Sequence, residues 1–286
     1  MFGTVSIIGG DLRQLTAAEL MAKDGYEVYL YGFENADTVM KDNITDMGKA
    51  LDAEAVVLPV PVSFDGEYVN MPFAKDKLTV RKLIEGLNPS AMVFGGQLKP
   101  EMVIGLGKRG IKYCDYLKRE ELAIRNAVPT AEGAIEIAIA ETPITLHGSR
   151  CLVTGYGRIG KILSKMLYGM GAHVSVEARK YADLAMIEGH GYEAMSLGEL
   201  SHHVNEFDII FNTVPAMIFD RKILSEMRKN TLIIDLASKP GGVDFDAAKE
   251  MGVRVIWALS LPGKVAPVTS GTIIKDTIMN IIDEMR

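Results

Sequence analysis

Between Cys151 and Gly160 the chain reads Cys-Leu-Val-Thr-Gly-Tyr-Gly-Arg-Ile-Gly, an apolar run broken by glycines in the spacing GxGxxG. Such a turn could receive a dinucleotide, and each glycine then has its own task. Gly155 permits the tight turn, Gly157 lets bare backbone approach a pyrophosphate, and Gly160 lets helix and strand pack closely. The exposed N–H groups and the positive helix end would take the phosphate charge. With 28 glycines in 286 residues the spacing alone says little. Its context says more. Cys151–Thr154 reads as a strand, Ile159–Tyr168 as a helix with Ile162, Leu163, Met166 and Leu167 inward, and His173–Val176 as the next strand. Tyr156, Arg158 and Ile159 complete the candidate turn.

The end of that next strand chooses the cofactor. In His173-Val-Ser-Val-Glu177-Ala178-Arg179-Lys180 an acidic residue at position 178 would grip a ribose 2′-hydroxyl. Ala178 removes the carboxylate that would repel a 2′-phosphate, and Arg179 with Lys180 follows at once, a combination that suits NADP. Glu177 sits one place early, and strand alternation turns it away. A register shifted by one would make Glu177 the ribose ligand and NAD the cofactor.

Three further strand ends should surround the nicotinamide. They are Asn212-Thr213-Val214-Pro215, Asp235-Leu236-Ala237-Ser238-Lys239-Pro240-Gly241-Gly242, and the loop Leu261–Gly271 with Pro262, Gly263 and Lys264. Asn212 to Pro215 and Leu236 are candidate cofactor contacts. Ser238 and Lys239 are candidate catalytic groups, and Lys264, Thr269 and Ser270 candidate substrate contacts. Thr269 or Ser270 could N-cap a last helix over Gly271–Arg286, whose amides would favour an anionic group.

The first half opens with Ile7-Ile8-Gly9-Gly10-Asp11-Leu12-Arg13-Gln14, which lacks the third glycine and puts Asp11 where a phosphate would sit. A second dinucleotide site is therefore not expected. Arg13, at the carboxyl end of the first strand, would instead point into the cleft as a carboxylate clamp and candidate catalytic group. Asp11 and Gln14 join it as candidate substrate contacts.

Short apolar runs alternate with helix-length amphipathic segments throughout, which is the α/β pattern. It predicts two doubly wound parallel-sheet, Rossmann-like domains with a cleft between them. Residues 1–126 form the substrate-side domain, and 127–286 the nucleotide domain with a C-terminal helix. In the first domain strands are expected at Thr4–Ile8, Glu27–Tyr31, Ala55–Pro59, Ala91–Phe94 and Ile111–Tyr113. In the second they continue at Ile209–Asn212, Leu232–Asp235 and Arg254–Trp257. The join lies at Asn126–Pro129, with Thr130 as an N-cap for a helix running to Glu141.

A net charge of −6 argues against nucleic acid or an anionic membrane as partner. No stretch approaches the roughly 18 apolar residues of a membrane span, and no basic leader opens the chain, so a cytoplasmic protein is the reading. Cys114 and Cys151 form no CxxC pair and are expected as reduced thiols. His147, His173, His190, His202 and His203 read as structural, with no metal site.

Several segments together carry a resemblance. They are Gly9-Gly10-Asp11 with Arg13-Gln14, Pro129-Thr130 with Glu132-Gly133, Gly155 to Gly160, and Ala178-Arg179. Leu236-Ala237-Ser238 with Pro240-Gly241-Gly242, and Leu261-Pro262-Gly263 with Ala266-Pro267, complete the set. Over nearly its whole length the chain resembles the A subunits of dipicolinate synthases of spore-forming bacteria. The resemblance implies NADP-dependent oxidation of a dihydro- or hydroxytetrahydro-dipicolinate precursor, a small dicarboxylate. Its implied partner is a flavoprotein-like B subunit in an oligomeric assembly, at work in the mother-cell cytoplasm during sporulation. Aromatisation would supply much of the driving force, leaving the protein chiefly to orient two rings and two carboxylates.

Other readings share the architecture. A 2-hydroxy-acid dehydrogenase needs a histidine in the last strand-end loops, and none follows His203. A folate-type NADP dehydrogenase has a substrate loop similar to Pro262–Thr269. A non-catalytic, regulatory nucleotide-binding protein would show binding without turnover.

Overall fold

The computed structural model describes residues 2–285. Its first elements are β1 (Thr4–Ile8), α1 (Leu12–Lys23), β2 (Glu27–Tyr31), α2 (Met47–Leu51), β3 (Ala55–Val57), α3 (Val80–Gly86), β4 (Met92–Gly95), α4 (Pro100–Lys108), β5 (Lys112–Asp115) and α5 (Glu120–Glu141). Then come β6 (Arg150–Thr154), α6 (Arg158–Gly169), β7 (His173–Glu177), α7 (Tyr181–Gly189), β8 (Glu193–Met195), α8 (Leu197–His203) and β9 (Ile209–Asn212). The chain ends with α9 (Arg221–Ser225), β10 (Leu232–Asp235), α10 (Phe245–Met251), β11 (Arg254–Trp257), α11 (Leu261–Val265) and α12 (Pro267–Glu284).

Two compact units result. One runs to Arg125 and takes back the chain from Ala266 onward; the other is Asn126–Val265. In the first unit every strand pair is parallel, in the order β2-β1-β3-β4-β5. A parallel sheet is covered on both faces, so its central strands β1, β3 and β4 are almost wholly apolar. Ile7, Val57 and Phe94 pack on one side with Leu15 of α1 and with Ile273, Ile274, Ile278 and Ile281 of α12. Ile8, Val56 and Val93 pack on the other with Leu83 of α3 and Met102 and Leu106 of α4.

The second unit has six parallel strands in the order β11-β10-β9-β6-β7-β8. This is a doubly wound sheet, and the direction of winding reverses between β6 and β9. Ligands of open α/β sheets bind beyond the carboxyl ends at that reversal, which here is where Thr154 and Asn212 end neighbouring strands.

Four expectations are corrected. α5 does not begin at Thr130; it runs unbroken from Glu120 with Pro129 inside. Thr130 Oγ1 donates to Asn126 O at 2.7 Å, serving a carbonyl within the helix where an N-cap was expected. The last helix begins at Pro267, whose missing N–H suits a first helical position, so Thr269 and Ser270 lie inside the first turns and cap nothing. Residues 261–265 are a short helix and not open loop. Finally, residues 127–286 are not one domain. α12 packs along α1, and Gly271 makes this possible, since a Cβ there would lie 2.5 Å from Arg13 O. The short α2 and β8 were not foreseen. Cys114 and Cys151 are both free thiols.

Candidate functional site

Two of the three turn glycines are required by the protein itself. A Cβ on Gly155, whose φ is +89°, would lie 2.6 Å from Thr213 Oγ1 and 2.7 Å from Val214 Cγ2. A Cβ on Gly160 would lie 2.0 Å from Gly155 O. Gly157 is different. Its backbone is extended (φ −85°), and a Cβ there would meet nothing within 4 Å. It is the N-cap position of α6, and no side chain caps that helix. The fold leaves an open cradle above uncapped amides, and a pyrophosphate fits it. A nicotinamide dinucleotide therefore suits the residues present.

Tyr156, inside the turn, is 7% exposed and packs in one apolar cluster with Ala178 and Leu184. Its hydroxyl meets His190 Nδ1 at 2.6 Å, and Lys161 Nζ stands 5.3 Å from its ring centre. The turn is thus braced from behind by the carboxyl end of α7. Arg158 is exposed and Ile159 half-buried.

At the end of β7 the register turns Glu177 inward. It pairs with Thr154, is only 2% exposed, and its Oε1 has no hydrogen-bond partner. Burial pushes its carboxyl above the ordinary range, against the smaller opposing effects of the Gly155 amide and the Arg179 charge. Ala178 is buried, while Arg179 and Lys180 are exposed and lead into α7, which also lacks a side-chain cap.

Among the strand-end loops, Asn212 proves to be internal. It is fully buried, accepts from Thr154 Oγ1 at 2.6 Å and donates to Asp235 Oδ1 at 2.8 Å, so its side chain is not offered to a cofactor as expected. Thr213 Oγ1 donates to Thr154 O at 2.8 Å. Val214 is half-buried and Pro215 exposed. Leu236 is 7% exposed and belongs to the core. Ser238 and Lys239 are exposed on the loop that follows β10, where the Lys239–Pro240 peptide is cis. Lys264 is exposed on α11. In the sequence Asp235 reads only as a strand end, because a strand-ending aspartate carries no motif of its own.

In the first unit the Gly9–Gly10 turn is filled by its own chain. Gly10 N donates to Asn70 O at 2.8 Å, and a Cβ on Gly9 would lie 2.4 Å from Met71 Cγ. Asp11 N-caps α1 in a capping box, with Gln14 Oε1 accepting from Asp11 N at 3.1 Å. Gln14 is therefore buried, and it does not face a substrate as expected. Arg13 spends its two-pronged face on Asp11 (Nε–Oδ1 2.9 Å, Nη2–Oδ2 2.8 Å), and Nη2 also donates to Val60 O at 2.7 Å. The fork expected for a substrate carboxylate already holds an internal one. Thr269 is exposed and Ser270 buried. A cavity of about 970 Å³ between α3, α4 and the loop at Val62–Glu67 was not visible in the sequence, because its lining comes from three separated segments.

Sheet order, reversal point and glycine cradle together define a dehydrogenase that uses a nicotinamide cofactor. Residues 103–247 match the family of D-isomer specific 2-hydroxyacid dehydrogenase NAD binding domains, and residues 4–117 match the N-terminal domain of the dipicolinate synthase A subunit. The A subunit of dipicolinate synthase from Bacillus subtilis (strain 168) is 34% identical over 99% of this chain and 96% of its own length. The chain belongs to this family, the A subunits of dipicolinate synthase. Two crystal structures of that protein agree. The one from Bacillus halodurans superposes with a TM-score of 0.89 at 31% identity, covering 97% of each chain. The one from Bacillus subtilis gives 0.88 at 32% identity, covering 99% of this chain and 97% of that one. Among the described residues no helix is long and apolar enough to cross a membrane.

Proposed function

We propose that the chain oxidises a dihydro-dipicolinate precursor with NADP⁺, beside a flavoprotein-like B subunit. The hydroxytetrahydro form would enter by first losing water. The bound nicotinamide supplies a hydride acceptor at its C4; the substrate loses that hydride and one ring proton and becomes aromatic. The observation that carries the reading is Gly157, bare where no neighbour in the protein excludes a side chain.

The chain's own residues have separable tasks. The uncapped amides of α6 take the pyrophosphate. Arg179, Lys180 and the uncapped start of α7 take a 2′-phosphate. With Glu177 buried, the position that would repel that phosphate is held by Ala178. Ser238 and Lys239, exposed at the carboxyl end of β10, bind and orient a substrate carboxylate, with Lys264 as a second cation. By family resemblance the reaction belongs in the mother-cell cytoplasm.

The sole tryptophan, Trp257, lies on β11 and gives a binding signal through energy transfer to NADPH. Arg179→Ala should weaken NADPH by roughly ten- to a hundredfold, since a bond to a charged group contributes about 1.5–3 kcal/mol, and leave NADH nearly unchanged. Equal losses for both nucleotides would return the 2′ position to other groups. Turnover is tested with freshly formed dihydrodipicolinate and NADP⁺, with the B subunit present and with it omitted. Tight NADPH binding with no NADPH production in either case would make the chain regulatory and not catalytic.

A further inference from the structure

Four neighbouring strands end on one buried polar row. Glu177 of β7 is in register with Thr154 of β6, Thr154 with Asn212 of β9, and Asn212 with Asp235 of β10. Their exposures are 2% for Glu177 and 0% for the other three. The hydrogen bonds fix the orientation of the row. Thr154 Oγ1 and Val214 N donate to Asn212 Oδ1, which leaves Asn212 Nδ2 to donate to Val214 O and to Asp235 Oδ1.

Asp235 is the end on which the row closes. Its carboxylate accepts from Asn212 Nδ2 at 2.8 Å, from Ala237 N at 3.0 Å and from Gly242 N at 2.9 Å. Those two amides are the two feet of the loop that carries Ser238 and Lys239. A buried carboxylate is costly unless its oxygens are satisfied, and three N–H donors satisfy this one. Gly242 must be glycine for the arrangement to exist, because a Cβ there would lie 2.2 Å from Asn212 Nδ2 and 2.7 Å from Val214 O. On the far side, Trp257 Nε1 donates to Ala237 O at 3.0 Å, and its ring stacks on Phe245 at 4.9 Å.

We infer that Asp235 is a positioning residue: one buried carboxylate pins both feet of the Ser238–Gly241 loop and so fixes where Lys239 stands at the carboxyl end of β10. Through Asn212 the same anchor reaches the Val214 loop, against which Gly155 packs. The inference rests on the proposed role of that loop in the reaction, but the clamp itself is testable in the free protein.

The test is amide hydrogen exchange on the whole chain without nucleotide, followed by kinetics. In the unmodified protein, the Ala237 and Gly242 amides should exchange as slowly as those of β10, although both lie outside a strand. Exchange as fast as that of the exposed Ser238 and Lys239 would overturn the clamp, and this arm needs no variant. Asp235→Asn replaces one acceptor oxygen by a donor. Oδ1 serves two donors, so the new amino group takes the Oδ2 place opposite Gly242 N; Gly242 exchange should accelerate at least tenfold with Ile233 and Ile234 unchanged, and Trp257 emission should shift. NADPH affinity should stay within about threefold while kcat falls at least tenfold. Acceleration spread equally over the β10 amides, or affinity falling in step with kcat, would reduce Asp235 to a general structural residue. A parent chain that neither binds NADPH nor turns over would defeat the proposed function and leave the exchange result standing.

Discussion

Replacing Gly157 by valine separates a glycine kept for a ligand from one kept for the fold. The perturbation is local, since a Cβ at 157 has no neighbour within 4 Å and the backbone at φ −85° is open to any residue. On the stability side, losing glycine at an N-cap position costs about a few tenths to 1 kcal/mol. The reduced freedom of the unfolded chain offsets this by about 0.4–1 kcal/mol. The net change should stay within about 1 kcal/mol, or roughly 2–4 °C in Tm for a chain of this size. On the binding side, the branched side chain fills the space between the pyrophosphate and the α6 amides. Losing two charge-assisted bonds at about 1.5–3 kcal/mol each weakens NADPH by at least roughly a hundredfold. Gly160→Ala is the counter-test, with its Cβ 2.0 Å from Gly155 O. Backbone must move there, at about 1–3 kcal/mol, so this variant should lose several degrees in Tm. Thermal unfolding and Trp257-to-NADPH energy transfer read both variants. A folded Gly157→Val protein that binds within threefold of the parent would refute the reasoning. So would a Tm loss matching that of Gly160→Ala.

Further predictions concern a buried carboxyl and a half-buried ion pair. Because the carboxyl of Glu177 is raised in the folded chain, its contribution to stability is full below the ordinary glutamate range and lost as pH rises through the raised value. Glu177→Gln should therefore match the parent in acid and gain over it as pH rises toward neutrality; a difference in Tm that stays flat with pH would show the carboxyl is not held up by burial. Arg13→Ala should destabilise the chain by about 1–3 kcal/mol in denaturant titration, since Asp11 and Val60 O lose their donor. If Arg13 also meets substrate, Arg13→Lys lowers kcat/KM by about tenfold or more at unchanged NADPH affinity, whereas a stability loss alone assigns it to the fold.

The sheets were legible because each parallel strand centres on a short run of apolar or aromatic residues, with charge confined to its ends. Thr4–Ile8, Glu27–Tyr31, Ile209–Asn212, Leu232–Asp235 and Arg254–Trp257 were placed to the residue. What failed was punctuation. Pro129 looked like a helix start, yet α5 passes through it, because tertiary packing of Ala127, Ala131, Ala134 and Ala138 outweighs one lost backbone bond. The C-terminal helix looked like the end of the second domain, since nothing local in Ile273, Ile274 and Ile278 says which sheet they will cover. Glu120–Glu141 and Pro267–Glu284 show the same limit: the sequence marks an apolar face and leaves its partner open.

The candidate site divides along a similar line. Residues proposed to touch a ligand through backbone or exposed charge (Gly157, Arg179, Lys239) are candidates that spacing and type bring forward. Residues that hold those groups still could not be read that way, because their partners lie on other strands: Thr154 answers to residue 212, Asn212 to residue 235, and Asp235 to the amides of 237 and 242. Yet the register offers a rule with physical content. In a sheet buried on both faces, a polar residue that closes an apolar strand has no water to face, so it must find a partner on the neighbouring strand at the same level. Here β6, β7, β9 and β10 each end in one, as Thr154, Glu177, Asn212 and Asp235, and parallel pairing sets them in one row. Three of the four are joined by hydrogen bonds, and the fourth, Glu177, keeps an oxygen without a partner. That asymmetry predicts opposite signs for two amide substitutions along one row: Asp235→Asn takes away an acceptor the loop needs, while Glu177→Gln removes a charge whose burial outweighs the help of the Gly155 amide and Arg179.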